Sequence, residues 1–227
     1  MGQYYNPVIL KKNWKTAKQP VKMTLYSWDF NNGLKLMEHS WVGNSFVMSM
    51  MYILNKFKGL RLAWVGDYAD EKITRAYPNG VSLYNKAYEL TERGEGHKLY
   101  EELKNSIPEY EKLPTYRYII NRTKKEYVRV PKYNSEVWQV HPLPLLCADG
   151  NQRGGGDYWG KSKSVGRWAY DVIEVSNDQK DIHGCKLIRP VFKEDYWLLL
   201  FVATRLICFF LKWCLISVWW LFNKIII

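Results

Sequence analysis

The sequence predicts an α+β fold: a single domain over residues 1–195 with a mixed or antiparallel sheet and a few helices, followed by an apolar C-terminal helix over residues 196–227. Three observations carry this. Strand-like segments, then helix-like segments, then strand-like segments occur in blocks rather than in strict βα alternation. Aromatic residues are spread evenly up to Tyr196, which suits one folded unit. Beyond that residue the composition changes abruptly to an almost uninterrupted apolar run.

Taken in order, residues 3–10 and 23–28 read as strands, separated by a lysine-rich stretch whose Gln19-Pro20 marks a surface loop. Asn31-Asn32-Gly33 is a turn signal. Asn44 is placed to cap a helix in which Val47, Met50, Met51, Leu54 and Phe57 recur at helical spacing, so the methionines are core packing, and Gly59 ends it. Residues 60–65 form a buried strand that runs into the polar turn Gly66, Asp67, Tyr68, Ala69, Asp70. A polar helix is expected over residues 82–93, a break over 94–96, and a second helix over 98–105. Residues 116–121 and 126–130 flank a short basic loop and read as a β-hairpin.

Hydrophobic residues make up 47% of the chain and charged residues 24%, a balance that excludes disorder over most of the length. The net charge of +11 concentrates in two stretches, one holding Lys11, Lys12, Lys15, Lys18 and Lys22, the other Arg122, Lys124 and Lys125. Such patches suit an anionic bilayer face, and beside an apolar tail that reading outweighs nucleic acid, for which no motif is present; a plain lysine-rich solvated surface is the equally weighted competing reading. Four cysteines, Cys147, Cys185, Cys208 and Cys214, show neither CxxC nor metal-ligand spacing, which argues against a disulfide scaffold or zinc module and for a reducing compartment. The first ten residues lack the apolar core of a signal peptide, and Asn6 stands where a myristoylation signal needs Ser or Thr.

The most unusual soluble stretch follows His141: HPLPLLCADGNQRGGGDYWG. Three successive glycines, Gly154, Gly155 and Gly156, permit positive φ or close approach of backbone to a ligand, at an entropic cost an ordinary loop avoids. With Arg153 beside them, their N–H groups could cradle a phosphate or carboxylate. The known templates fail: no Lys-Ser/Thr follows the glycines, no GxGxxG is present, and in a calcium loop started at Asp149 the fifth position would be Arg153 and the twelfth Gly160. A plain tight loop capped by Asp149 and Asp157 is the competing reading. The expected ligand-binding set is therefore Asp67, Tyr68 and Asp70 on one loop and Asp149, Asn151, Arg153, Gly154, Gly155, Gly156 and Asp157 on the other. Glu38, His39, Asp67, Asp70, His141, Asp149, Asp157 and Asp171 are of types that serve acid–base chemistry or metals, but no spacing among them defines a catalytic mechanism, a metal site or a cofactor.

Residues 197–222 read WLLLFVATRLICFFLKWCLISVWWLF, long enough to cross a bilayer. Trp197 at one end and Trp219 and Trp220 at the other suit interfacial anchors. Arg205 and Lys212, seven residues apart, share one helical face and permit snorkelling, in-plane binding, or a homo-oligomer with a polar interior; a single crossing is the first reading, an interfacial helix the second and a buried core helix the third.

The segments MGQYY, GLKLMEH, VGDYAD and ADGNQRGGGDY together resemble a family of uncharacterised proteins of bacteria and their phages that share them in this order, over residues 1 to about 175. The chain departs from it at Gln152, where the family has Gly, and in the apolar tail, which is an addition. The family has no established activity to carry over. The resemblance implies an accessory protein of phage or bacterial type, acting in host takeover, counter-defence or defence. The expectation is a membrane-associated protein whose cytoplasmic domain binds an anionic small molecule or a protein partner. A metal-assisted hydrolase or transferase acting on a phosphorylated ligand is the alternative, and a ligand-gated membrane-permeabilising effector a further one.

Overall fold

In the computed structural model, residues 3–69, 80–150 and 162–192 are described. The chain divides into two units, Met1–Phe192 and Lys193–Ile227, and the described residues all belong to the first. They form one mixed sheet of eight strands with a few helices. The strands are β1 (Tyr5–Leu10), β2 (Val21–Thr24), β3 (Leu60–Gly66), β4 (Tyr118–Asn121), β5 (Glu126–Arg129), β6 (Ala148–Asp149), β7 (Asp171–Ser176) and β8 (Lys186–Leu187), in the order β2-β1-β3-β7-β4-β5-β8. Neighbours are antiparallel except for β5–β8 and for β6, which joins β3 in parallel.

The helices are α1 (Leu36–His39), α2 (Ser45–Lys56), α3 (Leu83–Glu92), α4 (Gly94–Asn105) and α5 (Pro142–Cys147). Strand residues alternate between faces, and here both faces of the β1–β3 region are buried. Ile9, Leu62 and Trp64 pack with Phe46, Met50, Ile53 and Leu54 of α2 and with Leu143 and Leu146 of α5. Val8, Leu10, Ala63 and Val65 meet Leu83, Tyr84 and Ala87 of α3 on the opposite face. This sandwiching explains why β1 is buried along its whole length, whereas β5 alternates buried and more exposed residues.

Local chemistry explains most boundaries. The Asn44 side chain accepts from the Val47 N–H and starts α2, and Ser82 accepts from Asn85 N–H at α3. Gly59 leaves α2 at φ +73°. Two expectations are corrected. The second strand lies at Val21–Thr24, and Ser27–Phe30 is a 3-10 turn closed by Asn31 in the left-handed conformation. There is no gap at residues 94–96: Gly94 begins α4 directly, its φ of +72° making the sharp turn out of α3. Among the described residues no helix is long and apolar enough to cross a membrane; residues 197–222 lie outside them.

Candidate functional site at the end of the central strand

One edge of β3 is shared by two partners. Leu60, Arg61 and Leu62 pair with β7, and Trp64 and Val65 pair with Ala148 and Asp149 of β6. Because β3 and β6 run parallel with Val65 opposite Asp149, the two loops singled out in the sequence leave the sheet side by side. Sites in open sheets commonly form where strand partners change at the carboxyl ends of parallel strands.

The seam between the loops is filled by Gln3 and Tyr5. The Tyr5 hydroxyl donates to Gln3 Oε1 at 2.9 Å. A Cβ on Gly66 would lie 2.4 Å from Gln3 Nε2, and one on Gly150 would lie 2.2 Å from the Tyr5 hydroxyl. Both loops therefore begin with glycine because the N-terminal strand occupies the space a side chain would need. Asp67 is tied to the same strand: its Oδ1 accepts from Tyr4 N–H at 3.0 Å, and its own N–H donates to Tyr4 O at 2.9 Å. Burial pushes the Asp67 carboxyl above the ordinary carboxylate value, against backbone N–H groups, Tyr4 first, that hold it down. Tyr68 beside it is half exposed.

The glycine-rich excursion closes on itself. It leaves β6 at Gly150 and is back at Gly166, whose N–H donates to Leu145 O at 2.8 Å; Trp168 N–H then donates to Leu146 O at 2.7 Å. Gly166 has φ +73°, and a Cβ there would lie 2.7 Å from the backbone oxygen of Ala148. The chain thus returns beside the strand it left, and the residues around Gly150 and Gly166 form a fixed neck. Tyr170 locks that neck. Its hydroxyl donates to Asp149 Oδ2 at 2.5 Å, its ring stacks on Trp14 at 5.0 Å, and its N–H donates to Leu62 O at 2.8 Å. The Arg61 guanidinium donates to its carbonyl. Tyr170 has φ +71°, a conformation a bulky residue holds only when its surroundings enforce it.

Of the ligand-binding residues expected from sequence, Asp67, Tyr68 and Asp149 are brought to this one end of the sheet. Asp70, Asn151, Arg153, Gly154, Gly155, Gly156 and Asp157 lie outside the described residues, as do Trp197, Arg205, Lys212, Trp219 and Trp220. Gln3, Tyr5, Trp14 and Tyr170 escaped the sequence reading. A signal was present: Val65-Gly66-Asp67 and Ala148-Asp149-Gly150 are both strand ends that pair glycine with aspartate. No group of three or more His, Cys, Asp or Glu residues able to hold a metal occurs among the described residues.

The other titratable candidates are structural. His39 accepts from the Trp64 indole at Nε2, 3.0 Å away, and lies 3.0 Å from Gly33 O through Nδ1; burial lowers its pKa to about 4. His141 caps α5, its Nδ1 accepting from Leu143 N–H, and burial lowers its pKa to about 3. Glu38 accepts from Lys35 N–H at the start of α1. Asp171 is held by Asn121 and Lys124 at 2.8 and 2.9 Å.

That last contact corrects the second basic patch. Arg122 is paired with Glu174 at 2.7 Å and Lys124 with Asp171, so two of the hairpin's three cations are neutralised across the sheet. Next to them Arg167 forms a two-pronged pair with Glu126, which also accepts from the Trp168 indole and whose pKa is lowered by the Arg167 bond first. By contrast Lys12, Lys18 and Lys22 are exposed and form no ion pair with a described residue. Compared with protein-family models, curated proteins and solved structures, the chain matches none.

Proposed function

We propose that this chain is a membrane-associated accessory protein of phage or bacterial type whose domain binds an anionic small molecule between the loops that follow β3 and β6. The reading is supported by one observation above the rest: two loops distant in sequence start side by side from a partly buried, closely braced foot made of Asp67, Asp149, Gly150, Gly166 and Tyr170. A rigid scaffold carrying polar loops is the usual arrangement of a binding site. Arg153 and the N–H groups of Gly154, Gly155 and Gly156 are proposed as the anion-holding groups, and Tyr68 offers a half-exposed ring on the loop after β3.

Binding is favoured over a metal-assisted hydrolase or transferase because Asp67 and Asp149 already spend acceptor capacity on Tyr4 N–H and the Tyr170 hydroxyl. The apolar run over residues 197–222 is proposed as the membrane anchor, with the exposed Lys12, Lys18 and Lys22 facing anionic lipid and the domain on the cytoplasmic side. Should ligand occupancy drive oligomerisation, the Arg205–Lys212 stripe would line a permeabilising assembly, which is the form an effector role would take.

The test is calorimetric titration of the full-length chain, in a neutral detergent, with pyrophosphate and with a nucleoside triphosphate. Saturable binding weakened about tenfold or more by Arg153→Ala is expected. Absence of binding by both probes would contradict the anion site. The anchor is tested separately: full-length protein should resist a carbonate wash of membranes, and a chain ending at Lys193 should not.

A further inference from the structure

A cavity that shares no residue with the loop foot lies between the 3-10 turn Ser27–Phe30 and helices α3 and α4. It encloses about 440 Å³ and is walled by aromatic rings. Tyr26 stacks on Trp28 with centroids 4.3 Å apart and planes 6° from parallel. Tyr88 closes the cluster at 5.0 Å from Tyr26 and 5.9 Å from Trp28, and Tyr100 lies 5.4 Å from Tyr26. Trp28 is 43% exposed, so part of its ring remains open to solvent beside the cavity.

The polar ends of the buried rings are already committed. Tyr26 shares a 2.7 Å hydrogen bond with Thr91, and the Tyr100 hydroxyl donates to Asp29. Burial first, then the Asp29 carboxylate, pushes the Tyr100 phenol up, so it stays neutral. What these rings offer a ligand is therefore their edges and the ring surface that stacking leaves uncovered, Trp28 above all.

The rim is acidic in a chain of net charge +11. Asp29, Glu89, Glu92 and Glu101 line the cavity together with Thr91 and His97, and no Lys or Arg lines it. Each of these carboxylates has a cationic neighbour that does not itself line the cavity: Lys104 lies 2.8 Å from Glu101 and 3.6 Å from Asp29, Arg93 lies 3.9 Å from Glu92, and Lys86 pairs with Glu89. Lys104 also places its ammonium 5.5 Å from the centre of the Tyr100 ring, so an ammonium–π contact already exists at the cavity edge.

We propose that this cavity is a binding site for a methylated ammonium group, of the quaternary type carried by choline. A methylated ammonium is large and weakly hydrated, so it loses little on leaving water and gains from both the ring faces and the carboxylates. A bare ammonium is more strongly hydrated and gains less. The site stands independently of the anion-binding reading of the loops.

The experiment is calorimetric titration of the full-length chain, in a non-ionic detergent, with choline and with its neutral isostere 3,3-dimethylbutan-1-ol. Choline should bind at least about tenfold more tightly than the isostere, the margin expected of a desolvated cation–π contact. Trp28→Ala should cost about tenfold in choline affinity and Trp28→Phe less. The double substitution Glu89→Gln, Glu92→Gln leaves the rings in place and should weaken choline without weakening the isostere. Phosphatidylcholine vesicles distinguish the sources: vesicle binding lowered by Trp28→Ala assigns a lipid headgroup, and choline binding without that effect assigns a free cation, both upholding the site. No choline binding, equal affinity for the isostere, or choline affinity unchanged in the glutamine double variant overturns it, whatever the fate of Trp28→Ala.

Discussion

The foot of the paired loops and the aromatic cavity use similar residues for opposite ends. At the foot, Asp67 and Asp149 are held by a backbone N–H and a tyrosine hydroxyl, and Tyr170 stacks on Trp14, so each group is occupied in fixing where the loops start. In the cavity, four carboxylates are among the lining residues, each with a cationic neighbour that does not line it, and a tryptophan remains exposed. A carboxylate beside an aromatic ring is thus not a site by virtue of its type. What decides is the space beside it: the carboxylates of both regions have partners, and those of the second line a cavity.

Acid should act most strongly, and on the foot. His39 accepts from Trp64 of β3, and His141 caps α5, which leads directly into β6, so both histidines support the two strands that carry the loops. Their native pKa values, about 4 and about 3, lie below the ordinary 6.5. Between those limits the unfolded chain binds protons that the native chain refuses, so stability must fall as pH falls through 6.5. Each histidine should cost about 2 kcal/mol between pH 7 and pH 5. Urea unfolding at the two pH values checks this. Glu126, with its lowered pKa, loses its contribution only below the normal carboxylate range and does not confuse that window.

Next in size, Gly166→Ala should destabilise by about 3 kcal/mol, because the positive φ and the Ala148 oxygen both oppose a methyl group. Chemical denaturation measures it. Tyr170→Phe keeps the ring on Trp14 and deletes only the bond to Asp149, so about 1.5 kcal/mol is expected by the same measurement. Smallest is Trp28→Ala at the cavity mouth, with a loss of about 1 kcal/mol for an exposed ring stacked on Tyr26. A larger loss there than at Tyr170 would reverse the comparison and make the cavity the structural element.

How much of this could be read from sequence follows from how local each feature is. Helix α2 with its Asn44 cap, strand β3 and the β4–β5 hairpin rest on spacing and turn chemistry within a dozen residues. Strand β6 was not legible, since two residues show no periodicity and exist as a strand only through β3. Helix α5 was hidden by Pro142 and Pro144, although a proline in the first turn lacks only an N–H that needs no partner. The two loops were recognisable by their glycines and aspartates, but their adjacency was not, because it depends on Val65 meeting Asp149. The hairpin's cations were legible as charge; Glu174 and Asp171, which neutralise Arg122 and Lys124, come from a strand roughly fifty residues away. The aromatic cavity needs the turn at Trp28 brought against α3 and α4, which no spacing announces.

The most direct test of the central claim, that the loops after β3 and β6 form one binding site, is amide hydrogen exchange of the full-length chain with and without pyrophosphate. The account predicts slowed exchange in residues 66–70 and 149–161 together, lost from both in Arg153→Ala. Protection confined to one of the two segments, or found in neither, would contradict it.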